Sequence, residues 1–331
     1  MHKPYQESSW TLADDKLDTQ LRPASFTDFV GQNAVCERME VFVGAAKKRG
    51  DVLGHCLLSG PPGLGKTTLA GILAKQMGAK MVATSGPAID KAGDLAGILT
   101  SLETGDVLFI DEIHGLSRAI EEYLYPAMED FKLDLMIDTG PNARSVQVTL
   151  NPFTLVGATT RSGLLSAPLR SRFGLTCRLD YYSVEDLSAI VMRSAQVLKL
   201  EIDSIAAREI AGRARGTPRV ANNLLRWVRD FAEMKHDGTI DRQVAANALD
   251  MLAIDHLGLD ELDKKILQLL IETHEGGPVG LQTIAASLGE EAHTIADVYE
   301  PFLIMQGFLK RTQRGREVTT LAYQHMKGDT Q

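Results

Sequence analysis

The sequence predicts an α/β fold built on a parallel sheet, followed by a small helical lid domain and a C-terminal winged-helix domain. Three observations carry that prediction. From Leu21 to about Tyr182 apolar β-type runs alternate with helical ones, the rhythm of a parallel sheet covered by helices. Within that stretch Gly60-Pro61-Pro62-Gly63-Leu64-Gly65-Lys66-Thr67 fits the phosphate-loop pattern G-x-x-x-x-G-K-[ST], with an apolar strand before it and a helix after it. From Val184 the signal turns purely helical, and from about Asp255 it becomes three helices and two short strands.

Residues 1–20 are polar, mixed in charge and unpatterned, so a mobile arm is expected there. The sheet domain, 21–182, should have strands near Leu57, Val82, Leu108, Leu155 and Leu175. One insert, 133–150, breaks its rhythm: two alternating runs flank the turn-rich Thr139-Gly140-Pro141-Asn142-Ala143, which predicts a β-hairpin leaning out of the sheet. The lid, 183–254, should hold helices over Val184–Leu198, Ser204–Ala214, Pro218–Lys235 and Asp241–Leu252. Pro218 suits a first helical turn after Gly216-Thr217. In 255–331, helices are expected at Glu261–Thr273, Leu281–Leu288 and His293–Met305. A two-stranded wing follows, with Gln313-Arg314-Gly315-Arg316 at its tip.

The 331 residues suffice for two or three domains with real cores. No apolar run approaches ~20 residues, which excludes a helical membrane span, and the N-terminus lacks a secretory pattern. Cys36, Cys56 and Cys177 stand far apart, so neither a disulfide framework nor a zinc site is indicated, and a reducing cytoplasm is the expected location. A net charge of −8 argues against coating nucleic acid by bulk electrostatics. Locally the balance reverses: Lys310, Arg311, Arg314, Arg316 and Lys327 face Glu317 alone between Phe308 and Lys327. Those cations fall on the expected wing, where they can reach phosphates or a minor groove.

The phosphate-loop glycines let backbone N–H groups approach a phosphate at a helix start. Lys66 would reach the β- and γ-phosphates, and the Thr67 hydroxyl would ligate Mg²⁺. Some forty residues on, Asp106-Val107-Leu108-Phe109-Ile110-Asp111-Glu112 reads as a buried strand ending in two carboxylates. Asp111 would hold the Mg²⁺ shell, and Glu112 would orient and polarise the attacking water. The combination implies hydrolysis of ATP or GTP.

Three further elements narrow the type. Leu155-Val156-Gly157-Ala158-Thr159-Thr160 is a strand ending in two hydroxyls that can meet the γ-phosphate or the lytic water, Thr160 before Thr159. Pro168-Leu169-Arg170-Ser171-Arg172-Phe173 offers an arginine to a neighbouring subunit's γ-phosphate. Gly216-Thr217-Pro218-Arg219 opens a lid helix and places Arg219 toward the same phosphates. In this order after a Walker pair they indicate an AAA+ ATPase. The strings GPPGLGKTTLA, DVLFIDEIHGLS, FTLVGATTRSG, PLRSRFG and RARGTPRVANNLLR, among others, resemble the bacterial RuvB family, the ATP-driven motors of Holliday junction branch migration.

The resemblance runs from about Leu21 to Thr320. It implies ATP and Mg²⁺ as cofactors, a homo-hexameric ring around duplex DNA at Holliday junctions, loading by RuvA, and work beside RuvC in recombination and repair. By family pattern the nucleotide contacts map to Leu21, Arg22, Gly63, Gly65, Lys66, Thr67, Thr68, Glu129, Asp130, Phe131, Tyr182 and Arg219, with Arg172 acting across the interface. The hairpin would grip RuvA, and Arg311, Arg314 and Arg316 would touch DNA. Gly115, Trp227 and Ala292 depart from the pattern, standing where the family favours arginine. Competing readings are a clamp-loader-like or initiator-like AAA+ switch without processive movement, and a nucleotide-gated transcription regulator. A DExH helicase, suggested by Asp111 to His114, needs two P-loop-type lobes, and this chain has one.

Overall fold

The computed structural model describes residues 20–136 and 145–328. The expected N-terminal arm, up to residue 19, and the expected hairpin turn at 139–143 lie outside the described residues. The chain divides into two compact units. One holds the chain to Val197 together with Gly216–Val220; the other holds Leu198–Arg215 and the chain from Ala221.

In the first unit the strands are β1 (Cys56–Ser59), β2 (Met81–Ser85), β3 (Val107–Asp111), β4 (Lys132–Met136), β5 (Ser145–Thr149), β6 (Thr154–Thr159) and β7 (Leu175–Arg178). Its helices are α1 (Asn33–Arg49), α2 (Lys66–Met77), α3 (Ala92–Thr100), α4 (Arg118–Glu129), α5 (Ala167–Ser171) and α6 (Val184–Leu198). Five strands form a sheet in the order β2-β3-β6-β1-β7, and every neighbouring pair is parallel. The three central strands, β3, β6 and β1, are buried on both faces, which is why they read as unbroken apolar runs, whereas the edge strands β2 and β7 are partly exposed. Leu57, Leu108, Ile110 and Leu155 pack with Leu99, Leu124, Phe153 and Phe173 into one core.

The strand order positions the chemistry. β6 lies between β1 and β3, with Ser59 opposite Thr159 and Ile110 opposite Gly157. The phosphate loop after β1, the hydroxyls ending β6 and the carboxylates ending β3 therefore emerge side by side at the carboxyl edge of the sheet. At the opposite, amino edge, buried His55 ties the sheet to α4: its Nδ1 accepts the Leu155 N–H at 2.9 Å, so Nε2 carries the proton donated to the Met128 carbonyl at 2.9 Å. The hairpin β4–β5 is antiparallel, with Lys132 opposite Thr149 and Leu135 opposite Val146. Leu133 and Leu150 sink its base into the core.

The second unit joins lid and winged-helix elements. Its helices are α7 (Ser204–Gly212), α8 (Pro218–Lys235, whose first turn belongs to the first unit), α9 (Arg242–Met251), α10 (Glu261–Gln268) and α11 (Leu281–Leu288). Then come α12 (292–305, with a π turn at Ile295–Tyr299), β8 (Leu309–Thr312), β9 (Gly315–Val318) and α13 (Thr320–Gly328). Asp203 and Asp241 cap α7 and α9 by accepting the N–H of Ala206 and Val244. Helix α7 stops short of the expected Ala214: the N–H groups of Arg213 and Ala214 reach back only three residues, to Ile210 and Ala211, and Arg215 and Gly216 turn left-handed. Tyr299, Phe302, Phe308 and Leu267 centre the winged-helix core. β8 and β9 pair antiparallel with Arg311 opposite Arg316.

Candidate nucleotide site and nucleic-acid interface

β1 delivers the chain into the loop, and α2 begins at Lys66. Gly60, Gly63 and Gly65 adopt φ values of 140°, 78° and 99°, which L side chains rarely reach. Space is short as well: a Cβ at Gly60 would collide with the Leu179 carbonyl, and one at Gly63 would meet Arg219 Cβ at 3.1 Å. The Gly60 N–H donates to the Thr159 carbonyl at 3.1 Å, anchoring the loop on β6. Lys66 Nζ donates to the carbonyls of Gly60 and Pro61, each at 2.8 Å. Burial lowers the pKa of this ammonium, while Glu112 and Asp111 act in the opposite sense. Thr67 and Thr68 follow, half-buried, in the first turn of α2.

Asp111 closes β3, and burial raises its pKa, opposed by the Glu112 N–H that it accepts at 3.0 Å. Glu112 takes a left-handed conformation, φ 44°, and Gly86 leaves room for it, since a Cβ there would strike the Glu112 carbonyl. One carboxylate oxygen of Glu112 accepts both the Thr160 N–H, at 3.3 Å, and the Thr160 hydroxyl, at 3.0 Å. His114 Nδ1 lies 3.1 Å from the same oxygen and 2.9 Å from the Thr159 hydroxyl. Thr159 is fully buried and also accepts the Arg161 N–H. The two hydroxyls thus have separate places: Thr160 meets Glu112, and Thr159 is a strut beneath.

The remaining predicted contacts fall into two groups. Near the loop, the Tyr182 hydroxyl donates to the Leu64 carbonyl at 3.1 Å, and burial raises its pKa. The Tyr182 N–H donates to the Gly216 carbonyl, and the Arg219 N–H to the Gly63 carbonyl at 3.4 Å, leaving the Arg219 side chain exposed. Leu21 is buried and its carbonyl accepts from Arg193, whereas Arg22 is exposed. The second group is built around Arg172 at the end of α5. Its guanidinium lies 4.4 Å from the Tyr125 ring and donates to the Pro168 carbonyl at 2.7 Å and to Glu129 at 3.1 Å. Its buried Nε has no hydrogen-bond partner. Asp130 is exposed, and Phe131 (φ 52°) packs edge-on against His55 and Phe153. These contacts of Arg172 and Glu129 include no phosphate-loop residue.

The residues fit a Mg²⁺–nucleoside triphosphate. A glycine cradle at a helix start, a buried ammonium and a carboxylate beside a threonine hydroxyl are the donors that triphosphate and Mg²⁺ require. Thr67 and Asp111 would supply only two metal ligands, leaving the rest of the shell to water and phosphate oxygens. Such a shell is the kind that Mg²⁺ takes.

On the wing, Arg311 and Arg314 are exposed. Arg316 departs from expectation: its guanidinium turns inward onto Glu300, with Nη2 at 2.7 Å and Nε at 3.2 Å from one carboxylate oxygen. The sequence placed all three on the wing, and what distinguishes Arg316 is the buried carboxylate of Glu300 on α12, toward which it turns.

Three family models match in chain order: the Holliday junction DNA helicase RuvB P-loop domain over 21–179, the RuvB AAA lid domain over 182–255, and the RuvB C-terminal winged helix domain over 256–327. The Holliday junction branch migration complex subunit RuvB of Protochlamydia amoebophila is 64% identical over 331 residues, all of both chains. Its namesake in Flavobacterium johnsoniae is 61% identical over 310 residues, 94% of this chain and 91% of that one. The solved Holliday junction branch migration motor RuvB of Thermotoga maritima superposes with a TM-score of 0.84 at 53% identity, covering 93% of this chain and 98% of that one. The chain belongs to the RuvB family.

Against the RuvB pattern, two of the three departures have local reasons. A Cβ at Gly115 would meet the Pro87 ring at 2.9 Å, so an arginine there requires that ring to shift. Trp227 donates its indole N–H to the Ala248 carbonyl at 2.7 Å, pinning α8 to α9. Ala292 packs, partly buried, against the winged-helix core. Sequence reasoning passed over His114, Tyr125 and Glu300. His114 was visible in the string after Asp111-Glu112, but nothing in the sequence signalled the others.

Proposed function

We propose that this protein is the ATP-driven motor subunit of a Holliday junction branch migration complex. The observation that carries the reading is the end-to-end match, in which the P-loop, lid and winged-helix domains of RuvB follow one another in a single chain. Lys66 would clamp the β- and γ-phosphates of ATP, with Thr67 and Asp111 on Mg²⁺. Bound there, Mg²⁺ neutralises charge on the phosphate oxygens. Glu112 would take the lytic water, Thr160 would set its carboxylate, and Arg219 would report the γ-phosphate to the lid.

Arg172 and Glu129, whose described contacts lie elsewhere, would serve the nucleotide of the next subunit in a homo-hexameric ring. Exposed Arg311 and Arg314 would hold duplex DNA. The hairpin would engage RuvA, with RuvC joining the resolving complex. The protein would work on cytoplasmic DNA; no helix among the described residues is long and apolar enough to cross a membrane. The clamp-loader-like switch is less favoured, because the lid and winged helix both match RuvB modules.

A synthetic four-way junction tests the reading. Branch-migrated product should form with ATP and cognate RuvA and not with a non-hydrolysable analogue. Junction binding and ATP hydrolysis without product would favour the switch.

A further inference from the structure

The second unit contains a buried ion pair that the ATPase cycle described above does not use. Arg215 is held in the left-handed region, φ 56°, without being glycine. Its guanidinium forks onto Asp263, with Nη1 at 2.7 Å and Nη2 at 3.3 Å from the two carboxylate oxygens. It also lies 4.0 Å from the Phe302 ring centroid and 5.7 Å from that of Tyr299. Asp263 is 0% exposed and simultaneously accepts the Asp260 N–H in the capping box of α10. Burial pushes its carboxyl up, and the charge of Arg215 opposes that rise.

Both ends of this pair lead somewhere. On the chain side, Arg215 is the last residue of its unit before Gly216, whose carbonyl is taken by the Tyr182 N–H; Arg219 sits four residues on, bonded to Gly63. On the other side, Tyr299 and Phe302 bracket Glu300 on α12. Glu300 is 3% exposed and grips Arg316 of β9, while Arg311 Nε stands 3.9 Å from its second oxygen. Arg316 exchanges both backbone hydrogen bonds with Val279. A rigid chain of contacts thus runs from Arg215 through α12 to the base of the wing.

We propose that Arg215 is a positioning residue for the motor stroke, locking the winged helix to the chain segment that carries Arg219, so that movement of that segment becomes movement of the DNA-binding wing. A planar two-pronged pair suits this task, since it fixes orientation as well as distance. An apolar substitute packs equally well but lets the head rotate. The inference rests on the motor reading above.

The test compares the full-length protein with the single variant Arg215→Met and the double variant Arg215→Met/Asp263→Leu, in which neither charge of this pair is left buried. Four quantities are read: melting temperature, affinity for a fluorescent duplex, ATPase with and without duplex DNA, and branch-migrated junction per ATP consumed. In the double variant, melting temperature, duplex affinity and basal ATPase should hold, while DNA stimulation and product per ATP fall by roughly 10-fold or more. Full stimulation in the folded double variant overturns the proposal. So does a fall in stimulation matched by an equal fall in duplex affinity, which would confine Arg215 to the fold of the head. In the unaltered protein, ATPase indifferent to duplex DNA would instead overturn the motor reading, and this inference with it.

Discussion

Thr160 gives both its backbone N–H and its hydroxyl to a single carboxylate oxygen of Glu112, at 3.3 and 3.0 Å. The oxygen is further crowded by His114 Nδ1 at 3.1 Å. A carboxylate tied in this way has its direction set before any water arrives, and Thr160 directly follows β6, the neighbour of the strand β1 that leads into the phosphate loop. The hydroxyl is therefore placed to exchange Glu112 for a γ-phosphate oxygen.

Replacing Thr160 by Val removes the hydroxyl and keeps the shape and the backbone N–H. Misdirection of a catalytic group by about 1 Å costs on the order of 10²-fold, so turnover should fall to that extent with ATP affinity little changed. Thr160→Ser should recover much of the rate. Equal turnover in Thr160→Val and the parent would reassign the sensor to Thr159.

Glu112→Gln retains the hydrogen bonds from Thr160 but cannot polarise water, so it should bind ATP and hold the assembled state with hydrolysis nearly abolished. Lys66→Ala should lose hydrolysis too, by removing the cation that clamps the transferred phosphate. Single-turnover measurements with bound ATP separate the two. A Glu112→Gln protein that turns over at the parent rate would mean another group activates the water.

The sheet, the loop and the carboxylates were legible because each is encoded locally. A buried parallel strand is an apolar run, and the phosphate loop needs glycines and Lys66 at fixed spacing. The helix boundary after Gly212 was not, because it is set by a left-handed Arg215, a non-glycine residue whose side chain is held by Asp263, some fifty residues distant. The inward turn of Arg316 was hidden for a similar reason: its partner Glu300 belongs to another element, and charge counting cannot tell an arginine facing solvent from one turned inward. Arg172 and Glu129 were each singled out, but only the fold shows them bonded to one another.

His55 supplies a pH dependence. Burial lowers its pKa from 6.5, and both ring nitrogens are committed in the neutral form. The unfolded chain takes up the proton first as pH falls below 6.5, so the stabilising contribution is whole above that value and shrinks as pH drops toward the folded pKa. The melting temperature should fall between pH 7.5 and 5.5. His55→Gln should melt lower at pH 7.5 yet show a smaller decline over the same interval. An identical decline would assign the acid sensitivity to other groups.

The wing arginines should now separate. Arg311→Ala and Arg314→Ala should weaken binding alike on unrelated duplexes and lower the salt slope by about one unit per lost phosphate contact. Arg316→Ala should act on stability instead, because it removes the main partner of a buried carboxylate, an effect on the order of 3 kcal/mol. Titrations at several salt concentrations, alongside melting curves, distinguish these classes. A lowered salt slope for Arg316→Ala with unchanged melting would return it to the DNA-binding set.

Arg172 tests the ring as well as the residue. Its guanidinium is stacked on Tyr125 and tethered to Glu129 and the Pro168 carbonyl, with its buried Nε unpaired. If it acts on a neighbour's ATP, Arg172→Ala should bind nucleotide and hydrolyse it poorly; known fingers supply ~10³–10⁵ in rate. Lys66→Ala subunits have a failed pocket but an intact finger. Mixed with Arg172→Ala subunits, they should form some interfaces in which a sound pocket faces a sound finger, and ATPase should reappear from two inactive preparations. The recovered rate should peak at an intermediate mixing ratio, because interfaces with both parts intact need both kinds of subunit. Exchange can be followed independently by energy transfer between labelled subunits. If exchange is seen and activity stays at zero, Arg172 does not act in trans, and Arg170, exposed two residues earlier on α5, becomes the residue to test in the same way.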